Sequence, residues 1–298
     1  MDLALTETMH SAFDGQFPRA SIVIPAHNEG KVIHRGLSSL LESAAPGEFE
    51  IVVVCNGCSD DTAAQARRFG SAVKVVETKV QSKIHALNLG DREVHGFPRF
   101  YVDADIQITA EAIREVATLL RDDSAILVAA PRAVVAYEDR PYLIRSFYRV
   151  WTRLPYFCEN MVGSGVYAFS RQGRARFGEF PPIIADDEFA RLTAAPGERR
   201  STSGSAFTIH PPRTVGGLLK IMTRARTGMY ELKEKFPELS ANNHTNSGRT
   251  LQIIARSPSL WPHAPIYLSI MLLAKLKAHQ RTRRGRDHSW QRDDTSRQ

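Results

Sequence analysis

Between residues 20 and 130 the chain alternates short apolar or β-branched runs with segments of helical period, and this alternation narrows the fold more than any other feature. Ala20-Ser21-Ile22-Val23-Ile24-Pro25 reads as a short buried strand ended by proline. Val32, Ile33, Leu37, Leu40 and Leu41 follow at helical spacing within 29–43. Residues 49–55 form a second β-branched run, and Ser59 is placed to cap a helix reaching Phe69, with Asp60 and Asp61 in its first turn. A third strand is expected at 73–76, a helix at 82–89 and a fourth strand at 100–102. Thr109 caps a further helix to Leu120, and 125–130 reads as another strand. Such alternation implies right-handed crossovers. The expected class is therefore α/β, with a Rossmann-like, mostly parallel central sheet flanked by helices. Ligands of such sheets sit beyond the carboxyl ends of the strands. The polar clusters 25–29, 55–61 and 103–105 all fall there.

Beyond residue 130 the pattern is less regular. Leu143, Ile144, Phe147 and Val150 support a helix over 140–153, and Gly163-Ser164-Gly165 precedes a strand-like 166–169. Asp186-Asp187-Glu188 opens a short helix, and a strand at 207–210 stops at Pro211-Pro212. A helix over 215–236 carries Lys220, Arg224 and Arg226 on its polar face. Residues 240–249 are polar and turn-rich, which predicts a mobile loop, and two more helices are expected at 248–257 and 265–280. The resulting organisation is a loose leader (1–18), an α/β unit (19–212, with halves 19–106 and 107–212), a helical C-terminal extension (213–280) and a basic, disordered tail (281–298).

The formal charge is +7, and eight basic against three acidic side chains lie between Lys275 and Gln298. That end offers one aromatic, Trp290, for stacking, so it reads as a solvated tail and no nucleic-acid partner is expected. Three cysteines make no disulfide framework, which points to a reducing cytoplasm. Cys55-x-x-Cys58 has no second cysteine or histidine pair to complete a zinc site. No basic segment followed by an apolar core opens the chain, and the apolar stretch 264–274 is too short to span a bilayer. A soluble, cytoplasmic protein is expected, with at most a peripheral contact at the inner face of a membrane through the C-terminal helix and basic tail.

The chemistry concentrates at Asp103-Ala104-Asp105. Two carboxylates one residue apart at a strand end suit a hard divalent cation, Mn²⁺ or Mg²⁺, shared with a diphosphate. No Gly-x-Gly-x-x-Gly and no Walker sequence is present, so neither a dinucleotide fingerprint nor a P-loop is indicated. Five segments in order then resemble family 2 glycosyltransferases. Ile22-Val23-Ile24-Pro25-Ala26-His27-Asn28-Glu29 is similar to their opening strand and loop, and Asn56-Gly57-Cys58-Ser59-Asp60-Asp61-Thr62 to their second loop. Lys83-Ile84-His85-Ala86-Leu87-Asn88 is similar to their lysine-to-asparagine helix, Asp103-Ala104-Asp105 to their metal motif, and Ala185-Asp186-Asp187 to their acidic catalytic pair.

The resemblance implies the GT-A fold and a metal-dependent, inverting transfer of a sugar from a nucleotide-diphosphate donor of UDP or GDP type to a hydroxyl acceptor. On it, Pro25, Ala26, His27, Asn28 and Glu29 cup the base and ribose, and Asn56 reaches the base edge. Where the family more often has two aspartates this chain has Cys55-Asn56, which leaves the base open. Lys83 neutralises donor phosphate. Asp103 contacts ribose or metal with Ala104 between, and Asp105 ligates the metal, with His210 a further candidate ligand. Asp187 is the general base and Asp186 its support. Gly163-Ser164-Gly165 lets backbone approach the acceptor, and Arg224 and Arg226 close over the diphosphate. They stand where processive members have a Gln/Arg-x-x-Arg-Trp motif, but the tryptophan is missing, so single-residue transfer to a carbohydrate, lipid-linked or small-molecule acceptor is expected. A retaining transferase and a non-catalytic nucleotide-sugar-binding protein are the alternatives.

Overall fold

The apolar runs become the strands of one sheet. The computed structural model describes residues 18–158, 162–243 and 247–283. Its first half runs β1 (Ala20–Ala26), α1 (Ile33–Leu41), β2 (Phe49–Asn56), α2 (Thr62–Arg67), β3 (Lys74–Thr78), α3 (Lys83–Glu93), β4 (Arg99–Val102) and α4 (Ala110–Asp122). Then come β5 (Val128–Val135), α5 (Tyr142–Trp151), the single turn α6 (Pro155–Cys158), β6 (Val166–Phe169), another single turn α7 (Arg171–Arg174) and α8 (Asp186–Leu192). The chain continues with β7 (Arg199–Ile209), α9 (Val215–Lys235), α10 (Ser247–Arg256) and α11 (Ala264–Arg283).

The sheet order is β3-β2-β1-β4-β6-β5-β7. Every pairing is parallel except those of β6, which runs antiparallel to both β4 and β5. Central strands are buried on both faces, which is why they read as unbroken apolar runs. Their side chains still alternate. Ile22, Ile24, Ile51 and Val53 pack against Leu37 and Leu40 of α1 and Ile113 and Val116 of α4. Val23, Val52 and Val54 face Ala86 and Leu87 of α3, with Phe180, Phe189 and Ala190 beyond. A third cluster joins Ile144, Phe147 and Val150 of α5 to Leu218, Ile254, Tyr267 and Ile270, docking α9, α10 and α11.

Several boundaries differ from expectation. α2 starts at Thr62, with Asp61 at the capping position. Ser59 instead gives its N–H and hydroxyl to Asn28 Oδ1, at 2.7 and 3.2 Å. β5 is shifted to Val128–Val135 and passes Pro131 at a register break between Ala130 and Arg132. β7 begins at Arg199, eight residues before the expected Phe207. Within the segment expected as a mobile loop, Pro237–Asn242 is a 3₁₀ turn and α10 begins at Ser247, while 244–246 lie outside the described residues. The leader through residue 17 and the tail from residue 284 lie outside them as well. Among the described residues no helix is long and apolar enough to cross a membrane.

Candidate active site

The strand ends converge because of register. Pairing of Val102 with Val166 places the residues after β4 beside those before β6, and Asp103 N–H donates to Gly165 O at 2.8 Å. Gly163, Ser164 and Gly165 all have positive φ, of 117°, 58° and 102°. That left-handed path favours glycine on either side of the serine. It also turns Ser164 N–H onto Asp187 Oδ2 at 3.0 Å, and Glu188 N–H holds Asp187 Oδ1 at 2.8 Å. The Gly-Ser-Gly turn is thus a clamp for the second acid of the pair. Asp186 and Asp187 open α8, where the amide dipoles of a helix start favour anions.

Lys83 ties the acids together. Ser82 caps α3 by accepting His85 N–H, which leaves Lys83 at the first helical position. Its ammonium lies 2.7 Å from Asp103 Oδ1 and 3.0 Å from Asp186 Oδ1. Tyr167 OH donates to the other Asp186 oxygen at 3.1 Å, so that buried carboxylate is occupied on both sides. Burial raises the Asp186 pKa above the ordinary aspartate value; Asp187 and Asp103 add to the rise, and Lys83 opposes it. Burial acts to lower the Lys83 pKa, but Asp103, Asp186 and Asp187 outweigh it and drive it up, so the lysine is firmly charged. Asn88, five residues on, exchanges two bonds with the Phe180 backbone, Nδ2 donating at 3.0 Å and Oδ1 accepting at 2.8 Å.

Lys83, Asp103, Asp186 and Asp187 line a cavity of about 1260 Å³ at the carboxyl ends of the strands. Of the residues singled out in sequence, Pro25, Glu29, Lys83, Asp103, Ala104, Asp105, Asp186, Asp187, His210, Arg224 and Arg226 lie on its wall. Ala26, His27, Asn28 and Asn56 do not. Ala26 and Asn56 are fully buried, and the Asn56 amide atoms have no hydrogen-bond partner among the described residues. Asn56 O sits 2.6 Å from His27 Nδ1, and Asn28 holds a left-handed backbone at φ 52°. Ala26 and Asn56 end β1 and β2, and His27 and Asn28 follow in the loop after β1.

Burial, then Arg35 and Arg140, depress the His210 pKa, while Asp139 and Asp105 oppose. The ring therefore favours the neutral form, and its buried Nε2 has no hydrogen-bond partner among the described residues. Sequence reasoning missed Arg35, Tyr148, Trp151 and Tyr156 on the wall. It also missed a brace from α9. Gly228 packs on Ala185, Glu231 Oε2 accepts Ile184 N–H at 2.9 Å, and Lys235 Nζ donates to Pro182 O at 2.7 Å. Spacing of three and four residues on one helix face is the only local signal for it.

Residues 21–177, more than half of the chain, match the Glycosyl transferase family 2 profile, and the chain belongs to that family. Among curated relatives it is 30% identical over 93 residues to Glycosyltransferase AglE of Haloferax volcanii, covering 30% of this chain and 31% of that one. It is 27% identical over 172 residues to a 4,4'-diaponeurosporenoate glycosyltransferase of Staphylococcus aureus, covering 55% and 42%. The chain thus spans less than half the length of these relatives. A mannosyltransferase of Pyrobaculum calidifontis in complex with GDP-Man and Mn²⁺ shares the fold, with TM-score 0.61, 20% identity and coverage of 89% and 88%. Glucosyl-3-phosphoglycerate synthase of Mycobacterium tuberculosis with Mg²⁺ and UDP also superposes, with TM-score 0.53, 19% identity and coverage of 76% and 82%.

Proposed function

We propose that the chain is a glycosyltransferase that moves one sugar from a nucleoside-diphosphate donor to a hydroxyl acceptor, with inversion at the anomeric carbon. One observation carries this reading. Lys83 joins Asp103 to Asp186 at the strand ends, with Asp187 fixed by two backbone N–H groups on the same cavity wall. The acceptor oxygen attacks the anomeric carbon as the bond to the diphosphate oxygen breaks, and the electron pair leaves with the diphosphate. Asp187 takes the hydroxyl proton, a contribution of about 10²–10⁴-fold in rate. Asp186 holds Lys83 in place rather than sharing that task. Arg224 and Arg226 add cationic cover for the phosphates, whose oxygens match guanidinium forks. GDP-Man and UDP are the ligands named for the two similarly folded proteins, which supports a donor of this class.

A divalent cation fits the donor set. Among the described residues no three histidine, cysteine or acidic side chains form a cage by themselves. Two neighbouring carboxylates that need substrate phosphates to complete the shell are the usual arrangement for Mg²⁺. Asp105 and Asp103 would hold it, with the unpartnered Nε2 of His210 as a further donor. When bound, such an ion neutralises charge developing on the leaving diphosphate. The test is a thermal-shift series of nucleoside diphosphates and their sugars with and without Mn²⁺, paired with nucleoside-diphosphate release. Asp105→Ala should lose the Mn²⁺-dependent shift. Asp187→Asn should keep donor binding and lose transfer by about 10² or more. Equal Mn²⁺ shifts in Asp105→Ala and wild type, or full turnover in Asp187→Asn, would overturn the assignment.

A further inference from the structure

Helix α11 is apolar on two opposite sides. Its inward side, Tyr267, Ile270, Ala274 and Ala278, is buried. On its outward side Leu268, Leu272, Leu273 and Leu276 remain 43, 57, 48 and 52% exposed. At roughly 100° per residue these four leucines span an arc of about 140° opposite the buried stripe, interrupted by Ser269. Lys275 and Lys277 fall on the two borders of that arc. Between Ala264 and Arg283 the helix carries no acidic residue. Just before it, Trp261 is 57% exposed with its indole N–H already bonded to Ile254 O. The patch also reaches the active-site mouth, because Leu268 and the exposed Leu251 line the cavity itself.

We propose that the outer face of α11 docks on an anionic lipid surface, with the leucines entering the acyl boundary and Lys275 and Lys277 reaching the headgroups from either side. The charge pattern selects this occupant. Lysines that flank an apolar stripe extend their stems along it and leave their ammonium groups at the polar boundary. A second copy of the same helix would instead bring like charges together along both borders. With Lys275, Lys277, Arg281 and Arg283 in its second half the helix is too charged to span, and it lies in the interface plane. Docking there turns the cavity mouth toward the bilayer. On the transferase reading, the acceptor is then an amphiphile presented by the membrane.

The experiment is flotation of the full chain with vesicles of phosphatidylcholine alone and of equal parts phosphatidylcholine and phosphatidylglycerol. Binding to the anionic vesicles is expected. K275Q/K277Q should weaken it about thirty-fold, from about one headgroup interaction per lysine. L272E/L276E should abolish it and leave melting temperature and donor hydrolysis unchanged, since both positions are exposed and neither lines the cavity. Failure of the wild type to bind, or unaltered binding by L272E/L276E, would overturn the proposal. So would a lipid-free dimer that L272E/L276E converts to monomer. Vesicle binding is read without turnover, so its failure is separate from failure of the transferase reading.

Discussion

Gly228→Ala separates helix propensity from packing at the acid pair. In the interior of α9 an alanine should stabilise by about 1 kcal/mol over glycine if nothing opposes it. Here a Cβ at 228 would lie 2.7 Å from Ala185 Cβ and 3.3 Å from Ala185 N. Carbon contacts are optimal at about 3.5–4.0 Å, so the two segments must separate by about 1 Å. The loop cannot yield alone, since Glu231 holds Ile184 N–H and Lys235 holds Pro182 O from the same helix. Overpacking of this kind costs about 1–3 kcal/mol. After the propensity gain, a net loss of about 1 kcal/mol is expected, lowering the melting temperature by about 2–4 °C. Ala185 directly precedes Asp186, so the displacement falls on the segment proposed to carry the acids. A misplacement near 1 Å can cost about 10²-fold in rate, and kcat should fall by about 10–100-fold with a smaller change in donor KM. Calorimetry and nucleoside-diphosphate release measure the two effects. A variant that melts higher with unchanged turnover would refute the brace.

Asp91 is a hub with its side chain 13% exposed that accepts from Arg99 Nη1 at 2.8 Å, Arg174 Nη2 at 2.7 Å and the Tyr101 hydroxyl. Asp91→Asn leaves both guanidinium groups without their counter-charge, and urea unfolding should show a loss of about 3–5 kcal/mol. A loss near zero would mean the arginines find other partners. Burial acts to raise the Glu50 pKa, but donation from Ser21, from the His95 N–H and ring and from Gly96 N–H outweighs it, taking it from 4.5 to about 2. Its contribution is therefore fully present above pH 4.5 and is lost as pH falls toward 2. Denaturant titrations across that window should show a shallower acid limb for Glu50→Gln than for wild type, and parallel limbs would refute the assignment.

The sequence carried the sheet's interior better than its edges. β1, β2 and β4 are buried on both sides and announce themselves as apolar runs, whereas β7 opens on Arg199-Arg200-Ser201-Thr202-Ser203. It is an edge strand whose one neighbouring strand among the described residues is β5, apart from a single bridge of Thr208 to Gln107, so much of it tolerates polar residues. The strand expected at 125–130 stops short of Pro131, a residue type disfavoured inside sheets, yet β5 runs through it at a register break. Ser59 looked like a cap because nothing local reveals that Asn28, thirty-one residues earlier, takes its donors. The acids and Lys83, singled out in sequence, come together on one cavity wall. The clamp on Asp187 was not legible, since it arises from the antiparallel entry of β6, and pairing order has no local signature. Asn56 lies inside rather than on the cavity wall because it still belongs to β2.

The place of β6 also governs when the molecule can become whole. Until residues 166–169 insert, β4 has no strand on its far side, and among the described residues no strand pairing joins the first four strands to β5 and β7. A nascent chain halted after Val135 would leave the far edge of β4 with unpaired N–H and C=O groups, a template for pairing with other unfolded chain. The closing strand is therefore a keystone, and the candidate site, with acids just after β4 and a clamp just before β6, is complete only with it in place.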